Sequence, residues 1–376
     1  MRVALVHDYL NQYGGAERVL EVMHDLFPEA PIFTSIFDPD AMPASYSRMD
    51  VRTSFMQGLP RVMSRHQSYL PFYPLVFENF NLSEYDVVIS NSSAWAKSVI
   101  TEPATLHICY CLTPMRWAWR YHDYVNRERL GRLARMALPP VMNYLRVWDV
   151  AAANRVDSFV AISRAVADRI WKFYRRQASI IYPPVDTQAF QPTGPADDFF
   201  LVASRLIPYK RVDLVVDAFN SLGLPLKIVG DGRDRSALQA RARENIEFMG
   251  RVSDAELRDL YARCRAFIFP GEEDFGIAPV EAQACGRPVI AFAAGGALDT
   301  VLDGTTGTYF RDQTPESLIE AVRRCDSSDW SSEAIRANAE RFSVATFQSR
   351  FTELVSRLDA ERSQGSRMVE PFVATP

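Results

Sequence analysis

Phe267-Ile268-Phe269-Pro270-Gly271-Glu272-Glu273-Asp274-Phe275-Gly276-Ile277-Ala278-Pro279-Val280-Glu281-Ala282 changes character twice within sixteen residues. The apolar head is too short for a helix and is β-branched or aromatic, which suits a buried strand. Proline, two glycines and three acidic residues then interrupt regular structure. The stretch from Ile277 to Cys285 predicts a helix. Strand, loop and helix in that order are the repeating unit of doubly wound α/β sheets. Ligands of such sheets sit at the carboxyl ends of the strands. Gly276, Ile277 and Ala278 would supply free backbone amides there, at a helix start, where an anion such as phosphate is favoured. Glu273 lies in the loop and Glu281 one to two turns into the helix. Two carboxylates flanking a phosphate site can accept from hydroxyls on either side of it, one holding a sugar and the other a ribose.

The same alternation extends through the chain. Strand candidates are Val3–His7, Asp86–Ser90, Leu106–Cys111 and Ser158–Ile162, then Phe199–Ser204, Leu226–Gly230, Ile246–Gly250, Ala266–Pro270, Val289–Phe292 and Gly307–Phe310. Several are near-continuous apolar runs, as expected for parallel strands covered on both faces. Two proline clusters, Tyr182-Pro183-Pro184-Val185-Asp186 and Gln191-Pro192-Thr193-Gly194-Pro195, break helix and sheet alike and mark a linker. The predicted division is a first domain at 1–183, a second at 184–345, a last helix at 346–362 and a disordered tail at 363–376. Two doubly wound, Rossmann-like domains would then face a central cleft.

Two further strand-to-helix turns carry candidate chemistry. After the first strand, Gly14 and Gly15 open a helix and permit close backbone approach of a ligand, although paired glycines suit an ordinary tight turn equally well. After the first strand beyond the linker, Arg205 and Lys210 stand where a guanidinium fork and an ammonium can both engage a diphosphate.

Composition narrows the remaining classes. With 376 residues, 48% hydrophobic and 23% charged, the chain is ordinary globular material of two-domain size. No apolar run approaches the roughly 20 residues of a membrane-spanning helix. The start reads as a strand rather than a signal peptide, so a cytoplasmic location is expected. A net charge of −4 gives no reason to expect a nucleic-acid partner. Cys109-x-Cys111 lacks a second pair at zinc spacing, the five histidines form no His-x-x-x-His pair, and Asp38-Pro39-Asp40 reads as a surface turn, so no metal is expected. The span 116–146 holds seven arginines against two acidic residues, interleaved with Trp117, Trp119, Tyr121, Tyr124 and Tyr144. That composition fits a segment lying on an anionic membrane surface, or equally a helical hairpin with solvated arginines.

Together the Gly-Gly loop, the Arg205/Lys210 turn and the Glu273–Glu281 turn resemble family 4 of the retaining glycosyltransferases, which have the GT-B fold. Ile162-Ser163, Gly230-Asp231-Gly232 and Gly250-Arg251-Val252 extend the resemblance, which runs from residue 1 to about 360. Val6-His7-Asp8-Tyr9-Leu10 and Cys109-Tyr110-Cys111-Leu112-Thr113-Pro114-Met115-Arg116-Trp117 resemble more narrowly the WbaZ-like branch, associated with mannosyl transfer from GDP-mannose in bacterial polysaccharide assembly.

The resemblance implies a nucleotide-sugar donor, no cofactor and no metal. Arg205 and Lys210 would neutralise the leaving diphosphate, and Glu273 would hold sugar hydroxyls beside Phe275, Gly276, Ile277 and Ala278. Glu281 would hold the ribose, Gly230, Arg251 and Val252 would lie near the base, and Gly14 and Gly15 would approach the phosphate and the acceptor. The resemblance makes 1–183 the acceptor-side domain and 184–345 the nucleotide-sugar-binding domain, with the helix 346–362 crossing back to the first. It also implies a polyprenyl-diphosphate-linked glycan as acceptor and a peripheral position on the inner membrane face. One departure stands out: related sequences often carry histidine where this chain has Leu112, with His107 and His122 as nearby candidates to replace it. A UDP-sugar transferase and a donor-binding but inactive subunit are the competing readings. A pyridoxal-phosphate phosphorylase lacks a suitable lysine.

Overall fold

A computed structural model describes residues 1–119 and 132–364. Arg120, Arg127, Arg129, His122 and the expected tail beyond Gln364 lie outside the described residues, as do the side chains of Arg132 and Arg135. The chain divides into two compact units, one of Met1–Tyr182 with the chain from Gln348 onward, the other of Pro183–Phe347.

The first unit is built on β1 (Val3–His7), β2 (Ile32–Thr34), β3 (Val51–Thr53), β4 (Val87–Ser92), β5 (Leu106–Cys111), β6 (Ser158–Ala161) and β7 (Ala178–Ile180). They form one sheet in the order β3-β2-β1-β4-β5-β6-β7, with every pairing parallel. β1, β4 and β5 are buried along their whole length, which fits their largely apolar sequences. β2, β3 and β7 are three residues each and are not among the strands read from the sequence; β11, equally short, is marked by the proline, glycine and acidic run that follows it. Ala4, Val6 and Val88 pack with Phe77, Trp95 and Leu145 into a core on one face.

Strand order reverses between β1 and β4, and one side chain ties their exits together. The Asp8 carboxylate, 2% exposed, accepts five hydrogen bonds at 2.6–2.9 Å, from the amides of Ser93, Ala94, Trp95 and Ala96 and the Ser93 hydroxyl. It satisfies the free donors of the short helical turn after β4 that would otherwise be buried without partners.

A buried ion pair lies in the same unit. Lys97 Nζ donates to Asp149 Oδ1 at 2.5 Å and to the Ala94 carbonyl at 2.6 Å. Asp149 Oδ2 accepts from Trp119 Nε1 at 2.7 Å and the Tyr174 hydroxyl at 2.8 Å. Burial works against the Lys97 charge, but Asp149 outweighs it and leaves the ammonium pKa raised. Asp149 thereby ties the helix Arg132–Ala153 to the segment after β5, whose Trp119 stacks on Phe173 with ring centroids 4.4 Å apart.

The second unit contains β8 (Phe200–Ala203), β9 (Leu226–Val229), β10 (Ile246–Gly250), β11 (Phe267–Phe269), β12 (Val289–Phe292) and β13 (Gly307–Phe310), ordered β10-β9-β8-β11-β12-β13 and all parallel. Phe200, Val202, Ile228 and Ile268 pack against Val215 and Phe219 of the helix Val212–Leu222 and against Leu318 and Val322 of Pro315–Asp326. Each fully buried side chain of this size contributes about 1.5–3 kcal/mol relative to exposure. Helix starts carry the expected caps: Ser253 and Glu256 form a reciprocal capping box, and Thr314 caps a helix with proline at its first position.

The helix Val344–Ser363 is continuous, yet its residues from Gln348 belong to the first unit. There Phe351, Leu354, Val355 and Leu358 are buried, and the Phe351 ring meets Tyr110 of β5 edge-on, with centroids 6.0 Å apart. No helix among the described residues is long and apolar enough to cross a membrane. All five cysteines are free and buried.

Candidate functional site

The second sheet reverses its order between β8 and β11, so the loops leaving these neighbours turn apart and open a crevice at their carboxyl ends. Arg205 and Lys210 leave β8, and Glu273 leaves β11. The Lys210 ammonium is ion-paired and hydrogen-bonded to the Glu273 carboxylate, with only 12% and 22% of the side chains exposed. Arg205 is exposed and donates to the Tyr209 hydroxyl at 3.2 Å. Its guanidinium keeps further donors for an anion.

Gly276 precedes the helix Ile277–Ala284 and has φ +92°, a conformation that favours glycine. A Cβ there would come 2.8 Å from the Phe269 ring. No side chain caps this helix start, so the amides of its first turn keep their hydrogen-bonding capacity for a ligand. Phe275 turns inward: it is 3% exposed and its ring meets Phe342 at 5.5 Å, so its backbone is what the site can use. Glu281 is 6% exposed and hydrogen-bonded to the Tyr261 hydroxyl, whose pKa burial, followed by the Glu281 charge, pushes well above its ordinary value.

Gly230, at the exit of β9, has φ +125°, and a Cβ would fall 1.9 Å from the Ser204 carbonyl. The β9 and β8 exits therefore touch backbone to backbone. Arg251 and Val252 follow β10, at the edge of the sheet and two strands from β8. Gly14 and Gly15 are in the first unit, where Gly14 precedes the helix Gly15–Leu26 without a side-chain cap.

Three supports join loops far apart in the sequence and lie outside the sequence reading above. Gly295 and Gly296 follow β12, and a Cβ on either would meet the backbone of Glu273 or Phe275 at 2.2 Å. The Gly296 amide donates to the Glu273 carbonyl at 2.8 Å. Arg211, at φ +55°, donates to Gln313 Oε1 at 2.8 Å, and Gln313 Nε2 donates to the Pro270 carbonyl at 3.3 Å. The loops after β8, β11, β12 and β13 are thus mutually braced. A glycine pair following an apolar strand, the signal read at Gly14-Gly15, was available at Gly295-Gly296 as well.

His107 is corrected as a stand-in for the histidine absent at Leu112. It lies fully buried within β5, with Nε2 2.9 Å from the Ser90 hydroxyl. Burial pushes its pKa down to about 3. A side chain sealed in the sheet cannot reach a ligand beyond the strand end.

Residues 186–342 match the family of group 1 glycosyl transferases. The chain is 23% identical over 373 residues to the O-antigen chain mannosyltransferase C of Escherichia coli, covering 91% of this chain and 93% of that one. It is 31% identical over 201 residues to the GDP-mannose-dependent alpha-(1-6)-phosphatidylinositol monomannoside mannosyltransferase of Mycolicibacterium smegmatis, covering 45% of this chain and only 53% of the relative. In three dimensions it superposes on Anabaena Alr3699/HepE, a structure in complex with UDP, with a TM-score of 0.71 at 19% identity, covering 95% of this chain and all of the other. The fold is GT-B, and the matches support a glycosyltransferase.

Proposed function

We propose that the protein is a retaining glycosyltransferase that moves mannose from GDP-mannose, in α linkage, onto a lipid-linked oligosaccharide in bacterial polysaccharide assembly. The observation that carries this reading is the Lys210–Glu273 pair at the reversal of strand order, beside the helix start at Gly276. Cleavage of the bond between sugar and diphosphate builds positive charge on the sugar ring and negative charge on the leaving diphosphate. Lys210, Arg205 and the amides of Gly276, Ile277 and Ala278 oppose the negative charge as it grows, and need little reorganisation to do so. Glu273 accepts from sugar hydroxyls and orients the ring, while Glu281 accepts from the ribose. The acceptor hydroxyl attacks on the face that the diphosphate leaves, and a diphosphate oxygen takes its proton, so no protein nucleophile, cofactor or metal is used.

The acceptor is a polyprenyl-diphosphate-linked glycan, met at the inner face of the plasma membrane through the arginine- and aromatic-rich segment 116–146. The two mannosyltransferase relatives support mannose. Leu112 favours one second reading, a UDP-sugar donor, because its side chain offers no hydrogen bond where related sequences carry histidine. Calorimetric titration with GDP, UDP and ADP, then GDP-mannose, tests both. Tight binding of GDP, improved by mannose, supports the first reading. Preference for UDP replaces mannose and keeps the reaction class.

A further inference from the structure

The exit of β1 carries a second constellation, in the first unit, that the donor chemistry leaves unused. Asn11 Nδ2 donates to the Met63 carbonyl at 3.2 Å and lies 3.0 Å from His66 Nδ1. A carbonyl oxygen can only accept, so the amide orientation of Asn11 is set, and its second N–H points at Nδ1. Nδ1 must then be the acceptor, and the proton of the neutral imidazole sits on Nε2. Protonation of Nδ1 would set two donors against each other. Burial also lowers the His66 pKa, which favours the uncharged ring. No side chain or backbone group among the described residues pairs with Nε2. The Asn11 carbonyl oxygen is buried without a protein partner. Tyr9 lies against His66 with ring centroids 5.0 Å apart, and Phe72, six residues beyond His66, is 46% exposed.

We propose that His66, held by Asn11 as its Nε2–H tautomer, is the residue of the first unit that donates to a hydroxyl of the acceptor, and that its ligand is a neutral sugar ring packed against the neighbouring aromatic side chains. This rests on the glycosyltransferase reading above. An uncharged donor beside an aromatic face suits a hydroxyl-bearing sugar ring. The group belongs to the sheet's carboxyl edge because Asn11 lies four residues beyond β1 and clasps the helical segment carrying Met63 and His66.

The test uses the full chain and four octyl glycosides, of mannose, N-acetylglucosamine, galactose and glucose, as acceptor probes. Imidazole ¹⁵N shifts should show the Nε2–H tautomer of His66 at pH 7, and Asn11→Asp should move the proton to Nδ1. His66→Phe keeps ring and volume but removes the donor. It should weaken the best-bound glycoside at least tenfold while GDP affinity stays within twofold, and His66→Gln should restore part of the loss. An Nδ1–H tautomer in the natural protein, equal glycoside binding by His66→Phe, or binding of none of the four glycosides overturns the proposal. Loss of all nucleotide binding by the natural protein would instead remove the transferase reading on which it rests.

Discussion

Lys210 and Glu273 join the exits of β8 and β11, the two strands at which the second sheet reverses its order. The pair is mostly buried, so removing either member leaves the other with an incompletely satisfied charge. Lys210→Ala should lower turnover by about 10²-fold or more, the scale expected for a charge contact strengthened in the transition state. Glu273→Gln should also slow transfer, and the double variant should fall well short of the product of the two effects, because each single change spoils the same contact. Initial rates at saturating donor measure this. Unchanged turnover in Lys210→Ala removes Lys210 from the mechanism.

Gly276→Ala should damage the site through backbone geometry alone. The position has φ +92°, and the added methyl would press on the Phe269 ring at 2.8 Å. Relief requires the helix start to move, which misaligns its amides. The expected result is a loss of nucleotide affinity of at least tenfold with a destabilisation of about 1–3 kcal/mol. Calorimetry and urea unfolding read the two separately. Natural affinity in a folded variant would show that those amides do not touch the donor.

Asp149→Ala should be among the most damaging single changes in the first unit. It leaves Lys97 buried and charged, and strips partners from Trp119 and Tyr174. The cost for breaking such a pair is about 3–5 kcal/mol. Lys97→Met combined with Asp149→Leu should cost less than Asp149→Ala alone, as judged by urea midpoints. A double variant no more stable than Asp149→Ala would mean that the charges are not what holds this region.

His107 should make the fold acid-sensitive. Its folded pKa of about 3 lies below the ordinary 6.5, so between these values the unfolded chain binds the extra proton. Stability from this group is complete above pH 6.5 and is lost as pH falls toward 3, at a limiting slope of about 1.4 kcal/mol per pH unit. Urea unfolding of His107→Gln across pH 4–7 should show a flatter dependence than the natural protein. Identical slopes would place the acid sensitivity elsewhere.

Replacing Arg127, Arg129, Arg132 and Arg135 by Gln should release the protein from vesicles containing anionic lipid while leaving GDP titration unchanged. Each arginine near such a surface contributes about 1 kcal/mol. Equal retention in a sedimentation assay would favour the solvated hairpin.

Legibility in the sequence followed strand length and contact range. Val3–His7 and Leu106–Cys111 could be read end to end because both lie at the centre of a parallel sheet and are buried throughout. Val51–Thr53 could not, being short and largely exposed. Lys210 and Glu273 were legible as candidates because each follows an apolar strand, but their mutual pairing was not, since it depends on β8 and β11 being neighbours. Arg211 and Gln313 were missed for the same reason, and the glycine pair Gly295-Gly296, visible after its apolar strand, does not reveal that its partner is the loop after β11. They act by bringing together loops from strands far apart in the chain, and local pattern carries no trace of that. His107 was misplaced because proximity to Leu112 in sequence says nothing about which residues of a strand are sealed inside the sheet.

The helix Val344–Ser363 has a consequence for how the chain is made. Tyr110 and its neighbours on the first unit are complete only when Phe351, Leu354, Val355 and Leu358 arrive. During synthesis the second unit emerges in full before they do, and can fold while the first still lacks its closing piece. The apolar seat on β5 stays wet through that interval, and a ribosome halted within the second unit would release a protein with that seat bare. Order of emergence thus sets a window of vulnerability, and the last helical turns end it.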